Sequence, residues 1–132
     1  MMKTLAAASL AIFTMMTFGG AAVAQDDSDA GPDAYQTIER PDRVFAGPRQ
    51  VIQHYIRPLG FSQPAERSVR NDSGNRVVTF SVEGLEDDSI TEQEWRVVLN
   101  QTDRGMRPIS AGTRYRCARG ENAGEWSTTP CP

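Results

Sequence analysis

Two cysteines, a single histidine and an arginine-rich C-terminal half are the residues of this 132-residue chain best suited to chemistry. General-base catalysis, nucleophile activation or zinc binding would each need His54 in a cleft, beside a nucleophile or among further nitrogen and sulfur ligands. The 100° helical step instead turns His54 about 130° away from the apolar centre formed by Val51, Ile52, Tyr55, Ile56 and Leu59, so it is expected to face solvent. The densest carboxylates, Glu86-Asp87-Asp88, are adjacent in sequence. Paired-carboxylate hydrolysis needs groups from separate segments held about 5–10 Å apart around a cleft, and the calcium-loop pattern D-x-D-x-D-G is missing, so this triplet reads as a solvated turn. No phosphate-loop, dinucleotide or H-E-x-x-H signature occurs. The reading therefore assigns no catalytic residue, no metal and no cofactor.

Cys117 and Cys131 are the only cysteines. Their spacing matches no metal motif, and in an oxidising compartment they are expected to pair. The bridge would close a loop of about 15 residues, worth on the order of 3 kcal/mol in the chain-entropy model.

From Arg96 to Arg119 six arginines stand against one acid, Asp103. Strand alternation places Arg96, Arg114 and Arg116 opposite Trp95, Val97, Tyr115 and Cys117, so they are expected to project from the uncovered side of a sheet. Guanidinium groups grip phosphate and carboxylate in a two-pronged fashion, which makes this face a candidate for an anionic envelope component such as a phospholipid headgroup or an acidic polymer. The plainer account is a charged outer sheet face on which Glu92 and Glu94 neutralise Arg114 and Arg116 across the strands. Tyr55, Phe80, Trp95, Tyr115 and Trp126 form either a core around the disulfide or an aromatic ligand pocket.

These residues need a scaffold. Met1–Ala24 combines Lys3, a 14-residue apolar stretch from Leu5 to Phe18 and the small run Ala22-Val23-Ala24. It reads as a Sec-type signal peptide cleaved after Ala24, too short for the roughly 20 residues of a membrane span and with no lipid-accepting cysteine. The expected product is periplasmic or secreted, without a transmembrane segment. Beyond Ala24, 17 acids face 13 arginines and no lysine, which argues against nucleic-acid binding. Residues 25–46 hold six acids, two arginines and isolated apolar residues, and read as a disordered acidic tail.

Residues 47–132 read as one domain. Gly47 and Pro48 open a helix that Pro58 and Gly60 close. Alternating segments near 65–70, 76–83, 92–100 and 107–119 predict antiparallel strands, with Ile109, Ala111, Thr113, Tyr115 and Cys117 sharing a face and Trp126 returning beside Tyr115. The expected fold is α+β and two-layer, one amphipathic helix packed on a curled antiparallel sheet of about four strands.

In element order this is similar to cystatin-like and NTF2-like folds, an analogy of shape alone. The segment Arg114-Tyr115-Arg116-Cys117-Ala118-Arg119-Gly120, followed by Trp126-Ser127 and Cys131, resembles small exported bacterial proteins of unknown function with an R-x-R-C-x-x-G, W-S/T, C pattern. That resemblance covers about the last 40 residues and implies no activity. The function expected is a non-catalytic binding or structural module of the bacterial envelope, with an envelope protein or an anionic envelope component as partner. Two other classes stay open. One is a small enzyme or ligand carrier with a pocket lined by Tyr55, Phe80, Trp95 and Tyr115, and the other is a secreted inhibitor presenting the loop Glu83 to Ile90.

Overall fold

The helix forms where the apolar spacing places it. In the computed structural model, which describes residues 30–132, Gly47 is extended, Pro48 starts the first turn, and α1 runs Pro48–Ile56 into a 3₁₀ turn, Arg57–Leu59, ended by Gly60 at φ 89°. Val51, Ile52 and Ile56 are buried, and His54 lies on the exposed side as expected. The signal-peptide reading and residues 25–29 of the tail lie outside the described residues. Among the described residues no helix is long and apolar enough to cross a membrane.

Among the described residues six strands build one antiparallel sheet, two more than expected. They are β1 (Gln36–Thr37), β2 (Glu66–Asp72), β3 (Asn75–Glu83), β4 (Ile90–Thr102), β5 (Gly105–Cys117) and β6 (Trp126–Ser127), ordered β1-β5-β4-β3-β2 with β6 also on β5. Asp72 pairs with Asn75, so the connection is two residues, Ser73 and Gly74, both with positive φ, which is the primed turn that suits strand twist. α1 covers one face, where Val78, Phe80, Val82, Trp95, Val97 and Leu99 pack against Val51, Ile52 and Ile56.

Three sequence expectations need correction. The first concerns Ile109. Leu99 pairs with Pro108 and Val98 with Ser110, so Ile109 is the extra residue of a bulge and stands 42% exposed rather than sharing the face of Ala111. An inserted residue breaks the period of two, which no count along one strand can detect.

The second concerns residues 30–46. Composition predicts a solvated tail, yet this segment crosses the sheet edge as a strap. Gln36 and Thr37 pair with Thr113 and Gly112, and the amide and carbonyl of Phe45 exchange 2.8 Å hydrogen bonds with Met106. Tyr35 is 7% and Phe45 1% exposed. Each aromatic anchor sits against a glycine of β5. A Cβ on Gly112 would lie 2.7 Å from the Tyr35 Cβ, and one on Gly105 would strike the Phe45 carbonyl oxygen.

The third concerns the outer sheet face, expected to be open. Thr79, Ser81, Glu94, Arg96 and Arg114 are buried there, with Tyr35 of the strap and Trp126 of the returning C-terminal segment over Arg114. That segment is held by the Cys117–Cys131 disulfide, with a Cα–Cα distance of 5.3 Å, as the cysteine count implied. Serine at both cysteines is expected to cost about 2–4 kcal/mol, read from the urea midpoint of the double variant. A loss below half of that range would show that β6 and its turn hold the segment without the bridge.

Candidate functional site

On the outer face, acids and arginines alternate from strand to strand. Register pairs Glu94 with Arg114 and Glu92 with Arg116. Glu94 Oε1 accepts from Arg114 Nε at 2.8 Å and from the Tyr35 hydroxyl at 2.5 Å, and Arg114 Nη2 lies 2.8 Å from the same oxygen. Arg114 stands over the Tyr35 ring at 4.8 Å and the Trp126 ring at 4.3 Å, while Arg116 stands over Trp126 at 4.4 Å and 3.5 Å from Glu92. Burial raises the Tyr35 hydroxyl pKa well above the usual phenol range, and the hydrogen bond to Glu94 adds to this, so Tyr35 remains a donor. Burial likewise pushes the Glu92 carboxyl up, although Arg116 opposes it.

Of the three arginines singled out in the sequence, Arg114 and Arg116 are therefore neutralised within the protein. Arg114, 3% exposed, cannot project into solvent, because Tyr35 and Trp126 cover it. Arg96 is 7% exposed and makes no hydrogen bond or ion pair with any described residue.

The aromatic set divides between the two faces. Phe80 and Trp95 stack at 5.3 Å, and Tyr55 tilts against both at 5.8 and 6.2 Å. These rings fill the core under α1 rather than lining a cavity, with Phe80 1% and Trp95 4% exposed. Tyr115 lines a surface depression with Gln93, Ile90 and Leu59. Trp126 pairs with Arg116 and so belongs to the opposite face, away from Trp95. In the loop Glu83 to Ile90, Asp87 Oδ1 accepts from the Ser89 amide at 3.0 Å and the Ser89 hydroxyl at 2.6 Å, which holds its carboxyl below the usual range. Asp88 lies 3.4 Å from Arg119. These carboxylates brace a turn.

A broad depression lies on the helix side, 1230 Å³ in volume, between the strap, the exposed side of α1 and the segment after it. Arg43, Arg49, Arg57, His54, Gln50 and Phe61 are among its lining residues, and none of the described lining residues is a carboxylate. Asp42, the nearest acid in sequence to Arg43, is engaged instead with Arg107 at 3.2 Å. Arg57 donates to Gln53 at 2.8 Å and Arg43 stands 4.3 Å over the Phe45 ring, so two of the guanidinium groups are positioned without being neutralised. Arg49 lies in the first turn of α1, where there is no acidic residue and no side-chain cap. Positive charge at a helix N-terminus opposes the macrodipole, so this placement costs stability that an anion would return. Burial against Phe45 and Tyr55, together with the charge of Arg43, lowers the His54 pKa, so the imidazole adds a neutral donor at neutral pH. Sequence reading missed this site because its arginines are scattered over three elements; the signal available was Arg49 at the helix start.

No family model, no curated protein and no solved structure matches this chain.

Proposed function

We propose that the protein is an exported, non-catalytic binding module of the bacterial envelope, and that it holds an anionic envelope component in the helix-side depression. The observation that carries this reading is the set Arg43, Arg49 and Arg57 facing one open surface with no carboxylate among its described lining residues. Guanidinium groups that no neighbouring carboxylate neutralises match carboxylate, sulfate or phosphate bidentately, and an open groove suits a polymer or a headgroup array more than a small enclosed ligand. Lys3, the apolar stretch after it and Ala22-Val23-Ala24 support export, and the disulfide fits an oxidising compartment.

The test is binding of the folded protein to an acidic polysaccharide, with neutral dextran as control, at low and high salt. Binding to the acidic polymer should weaken with salt, and the Arg43→Glu/Arg49→Glu/Arg57→Glu variant should bind at least roughly tenfold less tightly. Equal binding of dextran, or an unchanged affinity in the variant, would overturn the assignment.

A further inference from the structure

Arg96 sits on the sheet face opposite α1, remote from the helix-side groove. Its register partners are Thr79 on β3 and Gly112 on β5, and it is 7% exposed. Buried arginines are ordinarily paired, because removing a guanidinium from water without compensation is costly. Arg96 has no such partner among the described residues. Its Nε is enclosed without an acceptor, and no carboxylate of the described residues reaches the group. Glu94, two residues away on the same strand face, is taken by Tyr35 and Arg114.

Arg96 is also one wall of a cavity of 40 Å³ whose other walls are Tyr35, Ala111, Gly112, Thr37, Ser110 and Pro32. Thr37, Ser110 and Pro32 are exposed, so the cavity opens to solvent between the strap and β5. One water needs about 10–15 Å³ of such space, so the cavity admits a few waters or one small oxyanion group and excludes a sugar ring or a nucleotide. Gly112 keeps it open on the β5 side, since a side chain there would meet Tyr35.

We infer that this cavity is a binding site for a single carboxylate, held by the Arg96 guanidinium with the hydroxyls of Thr37 and Ser110 at its mouth. A planar carboxylate matches the guanidinium fork and supplies the acceptors that Arg96 lacks. The group is either a free short-chain acid or the C-terminal carboxylate of a peptide. The site does not rest on the proposed envelope ligand of the helix-side groove.

The experiment follows the amide resonances of Thr37, Ser110 and Gly112, and the melting temperature, while formate replaces chloride at constant ionic strength. A tripeptide with a free C-terminus is compared with its C-amidated form. Formate should shift those amides saturably and raise the melting temperature. If the source is a peptide terminus, the free-acid peptide binds more tightly than formate and the amide does not bind; if it is a short-chain acid, formate binds and neither peptide does. Arg96→Met should be at least as stable as the wild type in chloride, because an unpaired buried charge has been removed, and should bind formate roughly tenfold or more less tightly. Ser110→Asp, which supplies a carboxylate at the mouth, should raise the melting temperature and abolish the formate response. Chloride acting as well as formate, or an undiminished response in Arg96→Met, would overturn the site. So would an Arg96→Met variant that is destabilised in chloride, which would mark Arg96 as already satisfied. The Arg43→Glu/Arg49→Glu/Arg57→Glu variant should keep its formate response, which separates this site from the groove.

Discussion

Alanine at Glu94 is expected to destabilise the protein by about 3–5 kcal/mol, the range for breaking a buried ion pair by removing one partner. Glu94 is 8% exposed and is the acceptor for both the Tyr35 hydroxyl and Arg114. Without it Arg114 loses the Glu94 carboxylate within a buried layer, and the Tyr35 hydroxyl loses its acceptor. The loss falls on a domain whose whole stability is on the order of 5–15 kcal/mol. The urea midpoint of Glu94→Ala measures it. Leucine at Glu94 combined with methionine at Arg114 should recover much of the loss, since apolar replacement of both partners leaves no stranded charge. A cost below about 1 kcal/mol for Glu94→Ala would mean that water reaches the outer face and solvates Arg114.

Phe45→Ala is expected to cost about 3–5 kcal/mol, the range for truncating a buried phenylalanine. The residue is 1% exposed and belongs to the cluster formed by Ile52, Leu99 and Met106. Its position makes the measurement decisive. If the strap were the solvated tail that its composition suggests, alanine at position 45 would be nearly neutral by equilibrium urea unfolding. A full cavity penalty would instead make residues 30–46 part of the folding unit. Phe45 also carries Arg43 over its ring and touches His54 edge-on, so the same variant should loosen one wall of the helix-side depression.

How far each feature could be read from the sequence follows from how local its cause is. α1 was legible because Val51, Ile52, Tyr55 and Ile56 repeat at helical spacing between Gly47-Pro48 and Pro58-Gly60, and every one of those signals lies within a few turns of chain. The β2–β3 hairpin was legible because Ser73-Gly74 accepts positive φ. Two cysteines allow one pairing. That Glu92 and Glu94 face Arg114 and Arg116 across the strands was legible as one account of the charged face, since the charges recur at the period of the strand; which acid pairs with which arginine came from the register.

The sequence by itself thus determined the helix, the hairpin, the disulfide and the α+β class. Tertiary structure alone decided the strap, the bulge and the fate of the arginines. Tyr35 and Phe45 are single aromatics in an acidic segment, and one anchor has no period; each acquires meaning only when β5 presents Gly112 and Gly105 beneath it. Ile109 is exposed because the register of β4 against β5 slips by one residue there, a property of two strands and not of either one. Arg114 is enclosed and Arg96 is left facing a cavity because Tyr35, 61 residues before Arg96, folds across the outer face. Local patterns select elements through short-range sterics and periodicity. Which polar groups end up buried, paired or open to a ligand depends on contacts between distant segments, and these exist only once the chain has closed on itself.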